Sequence, residues 1–95
     1  MAQPRVVLIG PPGAGKSTIG RRLARAMNRP LTDTDHMIEV REGATCGDVF
    51  TRLGEPRFRE IEEEVVAEAL QLPGVISLGG GAVLSEATRD LLAAL

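Results

Sequence analysis

Ninety-five residues carrying a formal charge of −2 make at most one small domain, and they lack the basic surplus that a nucleic-acid partner requires. Two phenylalanines, with no Trp or Tyr, supply no platform on which bases could stack. The single cysteine, Cys46, has no partner for an internal disulfide, and with one histidine there is no zinc-type cluster, so a free buried thiol in a reducing compartment is expected.

Met1 to Pro4 is a short lead-in with no signal-peptide pattern, and no apolar run approaches the ~20 residues of a membrane span, so the cytoplasm is the expected location. A first strand is expected over Arg5–Ile9, where Val6-Val7-Leu8-Ile9 is apolar and mostly β-branched, as a buried parallel strand should be. Gly10-Pro11-Pro12-Gly13-Ala14-Gly15-Lys16-Ser17-Thr18 follows and fits the phosphate-loop pattern G-x-x-x-x-G-K-[ST]. Glycines at 10, 13 and 15 let the backbone take positive φ and approach a phosphate, whose charge the N–H groups and the helix start then hold. Lys16 can reach the β- and γ-phosphates, and the Ser17 hydroxyl can ligate Mg²⁺. Lys16 is the only lysine of the chain. Ile19, Leu23 and Met27 recur at helical spacing, which predicts a helix over Gly15–Met27 ending at Asn28.

A short extended piece, Leu31-Thr32, should lead into Asp33-Thr34-Asp35 and a helix over His36–Glu42 that stops at Gly43. Thr45 reads as the N-cap of a short helix that turns Val49, Phe50 and Leu53 inward and ends at Gly54. The longest helix, Glu55–Leu72, has Pro56 in its first turn and one apolar stripe of Phe58, Ile61, Val65, Val66, Ala69 and Leu70. Its glutamates, Glu60 and Glu62 to Glu64, read as the solvated face. Pro73-Gly74 breaks the helix, Val75–Leu78 forms a third strand, and Gly79-Gly80-Gly81 follows. Ser85 then caps a last helix that carries Leu91, Leu92 and Leu95 to the final residue.

Strands alternating with helices imply an α/β fold with a parallel sheet and right-handed crossovers, and such sheets bind ligands beyond the carboxyl ends of their strands. Each strand here ends in an unusual stretch: the phosphate loop, the Asp33/Asp35 pair and the triple glycine. One of the two carboxylates can take a metal-bound water while the other accepts the proton of an attacking hydroxyl or orients it; the alternative is that either one merely caps the following helix. Arg59, beside the apolar stripe, offers a guanidinium to a substrate carboxylate, or else pairs with Glu63 one turn on; Arg57 is its rival. Gly79–Gly81 can let backbone amides approach a ligand, or form a plain tight turn. His36 reads as a surface residue at a helix start.

In GPPGAGKSTIGRRLA, LTDTDHMIE, FREIEEEVV and SLGGGAV, in that order, the chain resembles shikimate kinases from Val6 to about Leu92. The phosphate loop is generic to many kinases; the combination with DTD, FRxIE and GGG is far more specific. The resemblance implies a three-layer α/β P-loop kinase fold like that of nucleoside-monophosphate kinases, and transfer of a phosphoryl group from ATP to the 3-hydroxyl of shikimate. It implies that Gly13, Ala14, Gly15, Lys16, Ser17 and Thr18 bind ATP, and that Ser17 and, through water, Asp33 hold Mg²⁺. Asp35 would contact the shikimate hydroxyls and assist deprotonation, with Lys16 and Asp33 completing the catalytic set. Arg59 would grip the carboxylate, and Gly79, Gly80 and Gly81 would line the ring, Gly80 foremost. A cytoplasmic monomer with neither membrane nor nucleic-acid partner is expected. The family pattern extends beyond Leu95 into a lid and an adenine-contacting segment, so residues 1–95 are expected to be the N-terminal part of one kinase domain, truncated after the third strand and following helix, with an unpaired apolar edge at its first strand. The other expectations are a nucleotide-binding fragment without full catalysis, and a kinase for another small hydroxy acid such as gluconate.

Overall fold

The computed structural model describes residues 4–10 and 15–95, so Gly13 and Ala14, two of the expected ATP-binding residues, lie outside the described residues. Strand β1 (Pro4–Leu8) leads to helix α1 (Lys16–Met27), β2 (Leu31–Asp33), α2 (Thr34–Glu42), α3 (Cys46–Leu53), α4 (Glu55–Ala69), β3 (Gly74–Ser77), a 3-10 turn over Ala82–Leu84, and α5 (Glu86–Ala93).

The three strands are parallel in the order β1-β3-β2. Strand β3 lies in the middle and all four of its residues are buried, Ser77 included, which explains why Val75 and Ile76 stand side by side with no polar residue between them. Strand β1 is at an edge of the sheet among the described strands. The register places Val7 beside Ile76 and Leu8 beside Ser77, while Leu31 lies beside Val75. Side chains alternate between faces along a strand, so these pairs sort into two layers. On one face α1 comes so close that a Cβ on Gly20 would lie 3.2 Å from Leu31 and 3.3 Å from Leu8. On the other, Ile76 and Leu78 pack with Val66 and Ala69 of α4 and with Leu70 just past its end, joined by Val7. Three layers result: α1, sheet, α4.

Element ends follow local chemistry. Asn28 closes α1 in the left-handed region at φ 52°, Gly43 closes α2 at φ 69°, and Thr45 and Ser85 cap α3 and α5 by accepting the amides of Asp48 and Thr88. The expected α4 stripe is buried throughout, and a second cluster joins Phe58, Ile61 and Val65 to Ile38 and Val49.

Three expectations are corrected. On α3 only Val49 is buried; Phe50 and Leu53 are more than a third exposed, and Phe50 meets the Phe58 ring at 5.4 Å with the planes tilted by 60° rather than entering the core. Glu62 leaves the solvated glutamate face and is 3% exposed, because it lies four residues after Phe58 and four before Val66, inside the apolar stripe. Helix α5 stops at Ala93, with Leu91 and Leu95 exposed.

Candidate active site

The carboxyl ends of the three strands converge on one cavity of about 370 Å³, lined by Gly15, Lys16, Ser17, Thr18, Asp33, Asp35, Ser77, Leu78 and Gly80. At the end of β1, Gly10 and Gly15 take positive φ, 146° and 80°, a region open to residues without a Cβ. Lys16 opens α1 and its Nζ donates to the Gly10 carbonyl at 2.7 Å, so the ammonium lies over the start of the loop. Among the described residues no side chain caps α1, which leaves its first amides to the loop side.

At the end of β2 the two aspartates separate by role. Asp33 caps α2, its Oδ1 accepting from the amides of Asp35 at 2.9 Å and His36 at 3.4 Å, so the capping alternative holds for this residue. Oδ2 stays outside the cap, and Asp33 still lines the cavity. Asp35 is half-buried and its carboxylate lies against Gly79: a Cβ there would land on Asp35 Oδ1. Burial, first, and the neighbouring Asp33 charge raise the Asp35 carboxyl above the usual aspartate range; Lys16 and Arg59 oppose the rise. Both cations therefore act on the same carboxylate, from α1 and from α4.

At the end of β3, Gly81 is held close to Arg59, since a Cβ there would meet Nη1. Arg59 does not line the main cavity; it borders the adjoining groove with Glu55, Glu63, Leu84, Ser85 and Glu86. The alternative Arg59–Glu63 pair does not form. Arg59 Nη1 donates to Glu62 Oε1 at 2.8 Å and its Nε lies 3.8 Å from Glu55, while Glu63 accepts from the Ser85 hydroxyl at 2.6 Å. The guanidinium also sits 5.4 Å from the Phe58 ring centre. Burial raises the Glu62 carboxyl, and Arg59 pulls it back. A buried carboxylate with one fixed partner holds that guanidinium in place. Arg57, the rival, pairs with Glu60 on the exposed surface, and His36 is exposed as expected.

Cys46 is half-buried rather than buried. Its thiol donates to the Asp35 carbonyl at 3.4 Å and is pushed up to about 12, chiefly by burial and then by the Asp35 charge, so it stays protonated and inert. Ser77 and Leu78 enter the cavity lining without having been singled out. Glu62 lies outside that lining and acts through its bond from Arg59; the helical period through Phe58 and Val66 carried the signal for its burial.

A family model described as shikimate kinase matches residues 12–94. The chain belongs to the shikimate kinase family. A shikimate kinase of Corynebacterium efficiens is 66% identical over 92 residues, covering 97% of this chain and 54% of the relative. One of Mycobacterium avium is 56% identical over 91 residues, covering 95% and 52%. Among solved structures, the shikimate kinase of Acinetobacter baumannii, in complex with shikimate, superposes with a TM-score of 0.88 at 39% identity, over 97% of this chain and 51% of that one. The shikimate kinase of Bacteroides thetaiotaomicron superposes at 0.91, also at 39% identity, over 98% and 53%. The three-layer parallel arrangement is thus the P-loop kinase fold of shikimate kinases, and the chain spans about half the length of the curated relatives it matches.

Proposed function

We propose that the protein carrying this chain transfers a phosphoryl group from ATP to the 3-hydroxyl of shikimate. The observation that carries the reading is the shared cavity: the anion-binding start of α1, the two aspartates and Gly80 face one space, with a buried-carboxylate-anchored arginine beside it. Lys16 and the α1 amides would hold the nucleotide phosphates and offset their charge. Asp35 would accept a hydrogen bond from the attacking hydroxyl and take its proton; its raised basicity suits that task. Arg59 would bind the substrate carboxylate, and Gly79–Gly81 would admit the ring edge without Cβ obstruction.

Among the described residues no group of three or more His, Cys, Asp or Glu forms a metal cage. Mg²⁺ does not need one, because it is ordinarily held by one or two carboxylates together with phosphates and waters. The Ser17 hydroxyl and the Asp33 Oδ2 are hard oxygen donors on one cavity and fit that pattern. When bound, the ion would neutralise phosphate charge. No helix among the described residues is long and apolar enough to cross a membrane.

The test is coupled ADP release by the protein expressed from its complete open reading frame, with and without shikimate. Shikimate-dependent turnover is expected, and Asp35→Asn should lower kcat by roughly 10²-fold or more. ADP release indifferent to shikimate, or to Asp35→Asn, would refute the reading; turnover with gluconate in place of shikimate would redirect it.

A further inference from the structure

Between the two aspartates, Thr34 points the other way. It is 0% exposed, and its Oγ1 accepts the buried amide of Gly79 at 2.9 Å, across 45 positions of sequence. The same Gly79 is the residue whose missing Cβ makes room for the Asp35 carboxylate. The end of β2 and the end of β3 are therefore joined at two adjacent points, a hydrogen bond on the core side and a van der Waals contact on the cavity side.

We propose that Thr34 is a positioning residue, whose hydroxyl sets the separation between the Asp33–Asp35 turn and the glycine stretch and so fixes where the Asp35 carboxylate stands relative to Gly80. The inference deepens the functional reading above and rests on it. Thr34 touches none of the expected reactants; it acts through Gly79 and Asp35. A buried amide that loses its acceptor must find another, and the glycine stretch, with no side chains to anchor it, is free to move to do so. Valine keeps the shape and the β-branch but removes the acceptor, whereas serine keeps the acceptor.

In the protein expressed from its complete open reading frame, Thr34→Val should lower kcat with shikimate about tenfold or more while leaving the KM for ATP unchanged, and Thr34→Ser should stay within about threefold of wild type. Equal losses in the valine and serine variants, or no loss in either, would overturn the proposal. Because the valine variant could fail to fold, amide hydrogen exchange of wild type gives an independent arm: the Gly79 amide should exchange slowly, and exchange as fast as at an exposed loop would overturn it. A wild-type protein inert toward shikimate would instead overturn the functional reading, and the Gly79 amide would still decide the contact.

Discussion

Two glycines measure the site. At Gly79 and Gly81 a methyl group would meet the carboxylate of Asp35 and the guanidinium of Arg59. The Asp35 end can yield, so Gly79→Ala is expected to cost less than about 1 kcal/mol in thermal unfolding, whereas the Arg59 end is anchored on buried Glu62, so Gly81→Ala is expected to cost more, about 1–3 kcal/mol. Activity should separate them. Gly79→Ala displaces the proposed base and should lower kcat about tenfold, whereas Gly81→Ala displaces the proposed carboxylate grip and should raise the KM for shikimate with kcat largely kept. Unchanged steady-state constants in both would break the link between the glycine stretch and these two side chains. Residue chemistry was legible where it is local. Lys16 could be placed at the loop from its motif, and capping rules narrowed the helix cap to Asp33 or Asp35 without choosing between them; Thr34 could not be read at all, because its partner lies at the end of another strand.

At the scale of elements, the capped helix ends were read best, whereas α4 stops at Ala69 rather than Leu72 and α5 at Ala93 rather than the final residue. Asn28, Gly43, Thr45 and Ser85 all stand where backbone chemistry puts them, because a cap depends on residues within one turn. Ser85 does more than cap: its hydroxyl accepts from the Thr88 amide at 3.1 Å and donates to Glu63 of α4 at 2.6 Å, tying α5 to the helix that bears Arg59. Ser85→Ala should therefore cost about 1–2 kcal/mol, and Ser85→Asp should restore less than an ordinary cap exchange would, since its carboxylate faces Glu63. Denaturant midpoints of the two variants check this. Faces were read less well than ends. Periodicity tells which residues share a side of α3 or α4, but not what covers that side, so Phe50 and Leu53 were expected inside while Glu62 was expected outside.

For the molecule as a whole, parallel strands and crossover helices followed from the alternation of apolar runs with helical periods. The position of β3 between β1 and β2 did not follow from periodicity, since strand order is a property of long-range packing. The same order gathers all three strand ends at the cavity, and with them the one lysine of the chain. Every other strongly basic residue is an arginine, which acylating reagents leave untouched at neutral pH. Within residues 1–95, amine-selective labelling thus has one side-chain target besides any free α-amino group, and no mutation is needed. Peptide mapping of this stretch after acetylation should find one modified side chain, at position 16, and added nucleotide should shield it.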